Sequence, residues 1–423
     1  MSPVRPAIEV VGRRLEPEDH RLRDFLTRIA QPYEWHDAGD AEARRLLAEH
    51  GLSESDLPVL VEGDAVLPNA TVERVAKAWG LTEAPARTEY DLAIAGAGPA
   101  GLAAAVYAAS DGLTTLVVDS EVPGGQASHT SLIENFFGFP GGIGGAELAR
   151  LAGRQAESFG AELLLLSGVT GHRRDSMDGP FVVEIAGGHE IQARALIAAP
   201  GMDWRRLGVD GVEDLLERGV YYGAGRSEAA QCGGDPVVVV GAGNSAGQAV
   251  MYLADAGALV TMLVRGDRLG KSMSAYLVDR IAAHPLIDVR LRTEVEAVEP
   301  DHEGRLAGVL ARDPDGSVER LPARALFLCL GGEPRTGWAT RSGVRLDPAG
   351  FILTGPDLLD AGRRPEGWPL PRDPLALETS QPGLYAAGDV RHGSTKRVAG
   401  AVGDGATAVG LVHRRLDELL AIS

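Results

Sequence analysis

Two stretches of this chain carry residue types spaced to hold phosphate. Gly96-Ala97-Gly98-Pro99-Ala100-Gly101 follows the apolar run 90–95 and opens an alanine-rich stretch. Gly241-Ala242-Gly243-Asn244-Ser245-Ala246 follows the apolar run 236–240 and opens another. A strand that ends in such a turn and enters a helix brings backbone N–H groups close to a pyrophosphate. The positive end of the helix then faces the negative charge. After the first turn, strand 115–118 ends at Asp119, where a ribose-binding carboxylate belongs. After the second, strand 259–264 ends at Arg265 with Lys271 beyond it, and no acid follows directly. A cation there suits a 2′-phosphate, so the second unit is expected to take NADPH, with NADH as the alternative.

Two such units imply two dinucleotides, and the chemically useful pair is FAD with a nicotinamide nucleotide, because hydride can pass between them. The elements that must position them are strand–turn–helix units, which predicts an α/β fold. The length of 423 residues predicts about three domains. The formal charge of −18, from 41 basic and 59 acidic residues, argues against nucleic acid or an anionic membrane as partner. No apolar stretch is long enough for a membrane span, no signal-peptide core stands at the N-terminus, and a cytoplasmic protein is expected. Scattered histidines form no ligand set, so no metal is expected.

The first 82 residues are organised differently. Short apolar strands at 8–11, 33–36, 59–61 and 66 alternate with helical patterns at 18–30, around Leu46 and Leu47, and at 72–79. The order β-α-β-α-β-β-α is similar to that of the thioredoxin fold, and the segment resembles a glutaredoxin-like module with Pro58 in the family's cis-proline place. It has no cysteine, which excludes thiol chemistry there. A docking or structural role is expected.

From Tyr90 onward the chain resembles the low-molecular-weight thioredoxin reductases. Beyond the first glycine turn the resemblance rests on Pro123-Gly124-Gly125-Gln126, Glu134-Asn135, Gly388-Asp389-Val390 and Lys396-Arg397-Val398. It implies that Gly96, Gly98, Pro99, Ala100, Gly101, Asp119, Gly124, Gly125, Gln126, Asn135, Gly388, Asp389, Lys396, Arg397 and Val398 serve FAD. It implies that Gly241, Gly243, Asn244, Ser245, Ala246, Arg265 and Lys271 serve NADPH. The implied architecture is two Rossmann-like domains of the three-layer ββα type behind a thioredoxin-fold domain. Their expected bounds are 1–82 for the front domain, 88–203 with 331–423 for a split FAD domain, and 204–330 for the inserted NADPH domain. A homodimer is also implied.

One departure bears on the chemistry. The family's C-x-x-C falls on Ala224-Gly225-Arg226-Ser227, and both cysteines are missing. Without adjacent thiols no internal disulfide can relay electrons, so an external acceptor is expected: a protein, a small molecule or oxygen. A protein acceptor could dock through the front domain. Glu228, just after the lost pair, is a candidate proton donor. His392 is either a proton carrier or a solvated loop residue. Trp368, in the Pro/Trp-rich segment 354–379, either shields the flavin or holds substrate, or simply packs. Cys232 reads as a turn cysteine rather than a reactive thiol, and Cys329 as core. The competing reading is a retired enzyme that binds FAD and acts as a redox sensor.

Overall fold

The computed structural model describes residues 8–81, 84–223, 232–271 and 273–421. The front unit contains β1 (Ile8–Gly12), α1 (Pro17–Arg28), β2 (Tyr33–Asp37), α2 (Ala41–Glu49), β3 (Val59–Glu62), β4 (Ala65–Leu67) and α3 (Val72–Ala78). Proline in the first turn and the acids Glu18 and Asp19 start α1 where its orphan N–H groups need them. Leu22, Phe25 and Leu26 then fall on one buried stripe. The sheet order is β2-β1-β3-β4, with β1 parallel to β2 and antiparallel to β3. Strand alternation sends Val10 toward Leu22, Phe25 and Val75, and Val11 toward Ala43, Leu46 and Leu47. The Leu57–Pro58 peptide is cis. The first of these cores also takes in Val122, from beyond the unit.

The second unit begins with β5 (Glu89–Ala95), α4 (Pro99–Ser110), β6 (Thr115–Val118), α5 (Gly145–Ser158), β7 (Glu162–Leu164), β8 (Val169–Arg173), β9 (Phe181–Ile185) and β10 (His189–Ala198). Strands β7, β6, β5 and β10 run parallel, while β9 and β8 continue antiparallel from the first half of β10. The chain leaves through β11 (Met202–Trp204) into a third unit. There β12 (Val220–Tyr222), β13 (Pro236–Val240), β14 (Leu259–Val264), β15 (Ile287–Leu291) and β19 (Ala325–Leu328) form a parallel sheet ordered β12-β19-β13-β14-β15. Helices α6 (Asn244–Asp255) and α7 (Ala275–Ala283) pack on it. Strands β16 (Glu294–Pro300), β17 (Leu306–Arg312) and β18 (Val318–Pro322) form a separate antiparallel layer. The return strand β20 (Gly332–Pro334) pairs antiparallel with β11, so exit and re-entry lie side by side.

After α8 (Gly337–Ser342), strand β21 (Leu384–Ala386) joins the end of β10 in parallel, and α9 (Val398–Leu420) closes the second unit. An added Cβ at Gly405 of α9 would collide with the Ala100 carbonyl, so glycine is what lets α9 lie against α4. The segment 354–379 packs rather than covers a site. Leu375 and Leu377 enter the core, and Arg372 is bridged to the fully buried Glu378 and to Glu418 of α9, both at 2.6 Å. The Trp368 indole N–H donates to the Arg372 carbonyl at 2.7 Å. That bond ties the ring to its own loop, so Trp368 is not the shield considered from sequence. Among the described residues, no helix is long and apolar enough to cross a membrane.

Candidate functional site

The parallel strands β5 and β10 end at one cavity, and α4, α6 and α9 all begin at it. It is lined by Gly98, Pro99, Ala100, Asp119, Gly125, Gln126 and Asn135, and by Gly388, Asp389, Lys396, Arg397 and Val398. Asn244 and Ser245 of the third unit form part of the opposite wall. Residues from both glycine turns and from the late Gly-Asp motif thus meet around one space.

The glycine turns divide by position. Gly96 has φ +114°, and an added Cβ would run into the Ala199 carbonyl; Gly241 has φ +148° and would meet the Cys329 carbonyl. At Gly101 a Cβ would strike the Gly96 carbonyl, and Ala246 is fully buried. The middle glycines, Gly98 and Gly243, have nothing within 4 Å of an added Cβ. The outer positions therefore serve the turn and the helix–strand contact. The middle positions leave open the approach that a pyrophosphate needs. This cradle fits a dinucleotide at both turns.

Several side chains fix the walls. Asp119 accepts from the Ala97 N–H at 2.5 Å and the Glu121 N–H at 2.8 Å, which ties the first glycine turn to the end of β6. Burial raises its carboxyl above the usual range despite these bonds. The Gly124 N–H donates to the Ala97 carbonyl at 2.7 Å, placing that glycine behind the wall. Gln126 donates to the Met202 carbonyl at 2.7 Å. Burial likewise raises the Asp389 carboxyl, with Lys396 opposing. Asp404, inside α9, accepts from the Gly388 N–H at 3.1 Å and from Arg391 at 3.2 Å.

Other sequence candidates stand elsewhere. His392 pairs with Asp347 at 2.6 Å and does not line the cavity, so it is not placed to carry a proton there. Arg265 is exposed at the end of β14, while Lys271 is held by Asp267 at 2.8 Å. That aspartate, three positions past β14, supplies an acid that reading only the next residue overlooks. Glu228, Ala224 and Ser227 lie outside the described residues. Cys232 is buried in the third unit's core. Cys329 is 8% exposed and also touches the cavity, and burial pushes its thiol up to about 12. No cluster of metal-ligating side chains occurs among the described residues.

The cavity also holds groups that the motifs did not single out: Glu121, His129, Trp204 and Arg335. Arg28 of α1, 9% exposed, donates to Glu121 at 2.7 Å and to the Ser128 hydroxyl at 2.9 Å. Arg335 donates to the other Glu121 oxygen at 2.7 Å. The front unit thus reaches the back of the cavity wall. The sequence signal for His129 was its place just after Gly-Gly-Gln; the front-unit charges had none.

Residues 90–405 match the family described as pyridine nucleotide-disulphide oxidoreductase. A thioredoxin reductase of Listeria monocytogenes is 33% identical over 336 residues, covering 78% of this chain and 95% of its own length. That of Treponema pallidum is 33% identical over 338 residues, covering 78% and 99%. The crystal structure of T. acidophilum thioredoxin reductase matches with a TM-score of 0.68 at 28% identity, over 79% of this chain and 100% of that one. The chain belongs to the thioredoxin-reductase-like pyridine nucleotide-disulphide oxidoreductases.

Proposed function

We propose that this protein is an FAD-dependent NADPH oxidoreductase that delivers electrons to an external acceptor without an internal disulfide. The observation that carries the reading is the opening of both glycine-turn helices onto one cavity. Bound FAD supplies two-electron exchange with a nicotinamide, which no side chain can do. In this reading the N–H groups at the start of α4 hold the FAD pyrophosphate beside Gly98. Asp119 and Asp389 accept hydroxyls of the two sugar-like segments. The N-terminus of α9 at Val398 favours negative charge at its end of the cavity. Asn244, Ser245 and the space beside Gly243 take NADPH, with Arg265 toward its 2′-phosphate and NADH as the weaker substrate.

The external acceptor follows from the cysteines. Cys232 and Cys329 are the only two in the chain and form no C-x-x-C. The raised Cys329 thiol is a poor nucleophile at neutral pH. Relatives are named thioredoxin reductases; here the acceptor would be a protein, a small molecule or oxygen reduced directly at the cavity.

The front unit's sheet order, with α1 and α3 on one face and α2 on the other, supports a thioredoxin-type domain. Its α1 side meets both nucleotide units. Arg28 reaches the second; Arg14 pairs with Asp235 at 3.1 Å and Arg21 with Glu217 at 3.0 Å in the third. Any acceptor protein recruited by this unit would use its α2 side. The domain bounds 1–82, 88–203 with 331–423, and 204–330, and a homodimer, belong to the same reading.

The test is anaerobic mixing of FAD-loaded protein with NADPH, then NADH, while following flavin absorbance. Fast bleaching by NADPH is expected. No bleaching with either nucleotide would refute the enzyme reading and favour a sensor.

A further inference from the structure

The net reaction of such an oxidoreductase with a proton-requiring two-electron acceptor is NADPH + H⁺ + acceptor giving NADP⁺ and the dihydro form of the acceptor. The hydride brings two electrons and one proton, so one further proton must come from the site. The cavity contains one arrangement suited to hold it. His129 ends the turn Gly125–His129, whose Gly125, Gln126 and Ala127 also line the cavity. Its Nδ1 lies 3.5 Å from Oδ1 of Asp24, a residue of α1 in the front unit. The two side chains are 19% and 23% exposed. Nε2 of His129 has no protein hydrogen bond among the described residues. The ring stands edge-on to Trp204, with centroids 6.2 Å apart.

We propose that Asp24 and His129 form a dyad across the unit boundary, in which Asp24 is the positioning residue and Nε2 of His129 holds the proton consumed at the cavity. The inference rests on the oxidoreductase reading above. A carboxylate at Nδ1 fixes the ring and favours the imidazolium. When Nε2–H breaks and an acceptor–H bond forms, Asp24 stays ionised and the imidazole regains its proton from solvent. The charged and titratable groups around the pair are Asp24, His20 and Arg28 from α1, with Arg28 at 3.6 Å from Asp24, and Glu121 and Arg335 beyond Arg28. Burial works to raise the Asp24 carboxyl, but His129 and Arg28 overcome it and hold it well below the usual carboxylate range. An anionic Asp24 is what the dyad requires.

The assay uses the full-length, FAD-loaded protein. NMR of the histidine ring nitrogens, assigned with His129→Gln, compares the wild type with Asp24→Asn. The His129 ring-nitrogen resonances are expected to move in Asp24→Asn, because the group beside Nδ1 loses its charge. In parallel, NADPH-driven reduction of a quinone, which takes up protons, is divided by that of ferricyanide, which does not. The ratio is expected to fall roughly tenfold in Asp24→Asn and in His129→Gln, a size ordinary for loss of a general acid. Asp24→Glu, which keeps the charge, should restore most of it. Unmoved His129 resonances, or a ratio unchanged in both variants, overturn the dyad. If Asp24→Asn does not fold, the His129→Gln ratio decides. A wild type that reduces neither acceptor overturns the oxidoreductase reading, and the NMR comparison alone then decides whether the dyad exists.

Discussion

Arg28→Met should loosen the front unit from the cavity wall, and the structure sets the size of the effect. The arginine side chain is 9% exposed and serves Glu121, Ser128 and Asp24. Burial alone would raise the Glu121 carboxyl, but Arg28 and Arg335 together lower it from 4.5 to about 2. At ~1.4 kcal/mol per unit that shift has a ceiling of about 3 kcal/mol. It is shared between two arginines and discounted because Glu121 is one-third exposed. Arg28 therefore accounts for about 1–2 kcal/mol through Glu121. Its bond to buried Ser128 adds about 1 kcal/mol, reduced because the hydroxyl still donates to the Gly125 carbonyl at 2.7 Å. The total expected loss is about 2–3 kcal/mol. Hydrogen exchange is the direct assay, since it reads local opening. Amides of α1 and residues 121–131 should exchange roughly 30–150 times faster, while those of β13 and β14 change little. The double variant Arg28→Met with Glu121→Gln should recover part of the loss, because it removes a carboxylate left with only one of its two arginines. The pH dependence has a fixed sign. Glu121 is depressed in the folded state, so its contribution is present above about pH 4.5 and is lost as pH falls toward about 2. Exchange in residues 121–131 that stays within about threefold of wild type would refute this account of the coupling.

Four further outcomes follow from the glycine turns, the exposed cation and the buried thiol. Gly243→Val should fold, since its Cβ meets nothing within 4 Å, yet lose NADPH-driven bleaching of bound flavin. Gly241→Val should instead lower the thermal midpoint, because its Cβ collides with the Cys329 carbonyl and its φ is +148°. Arg265→Ala should raise KM for NADPH about tenfold and leave that for NADH within about twofold, as expected for loss of one phosphate contact. With its thiol pushed up to about 12, Cys329 should resist alkylation at neutral pH in the native protein and react once the chain is unfolded, as mass spectrometry would report.

What could be read from the sequence was what is encoded locally. The two strand–glycine–helix turns, the strand ending at Asp119 and the seven front elements each announce themselves within a dozen residues, through period, proline and glycine. The structure places them as expected in order and element type. The dyad and the Arg28 bridge belong to another class. Asp24 and Arg28 lie on a helix that the sequence marks only by its apolar stripe, and their partners His129, Ser128 and Glu121 come from a different unit. No spacing rule joins residues so far apart, because which face of α1 docks depends on the assembled shape of both units. The same limit explains Trp368 and His392, which precede or follow Gly388-Asp389 in sequence but turn away from the cavity, Trp368 to its own loop and His392 to Asp347. Proximity to a motif in sequence is therefore weak support for a role in the cavity. A carboxylate brought in by a separate unit is stronger, because its burial costs desolvation that His129 and Arg28 must offset. A front unit that served only as a flexible tether would have no physical reason to place Asp24 there. Its α1 backs the wall of the cavity through Glu121, Ser128 and His129, and truncating it should alter the cavity's chemistry as well as its stability.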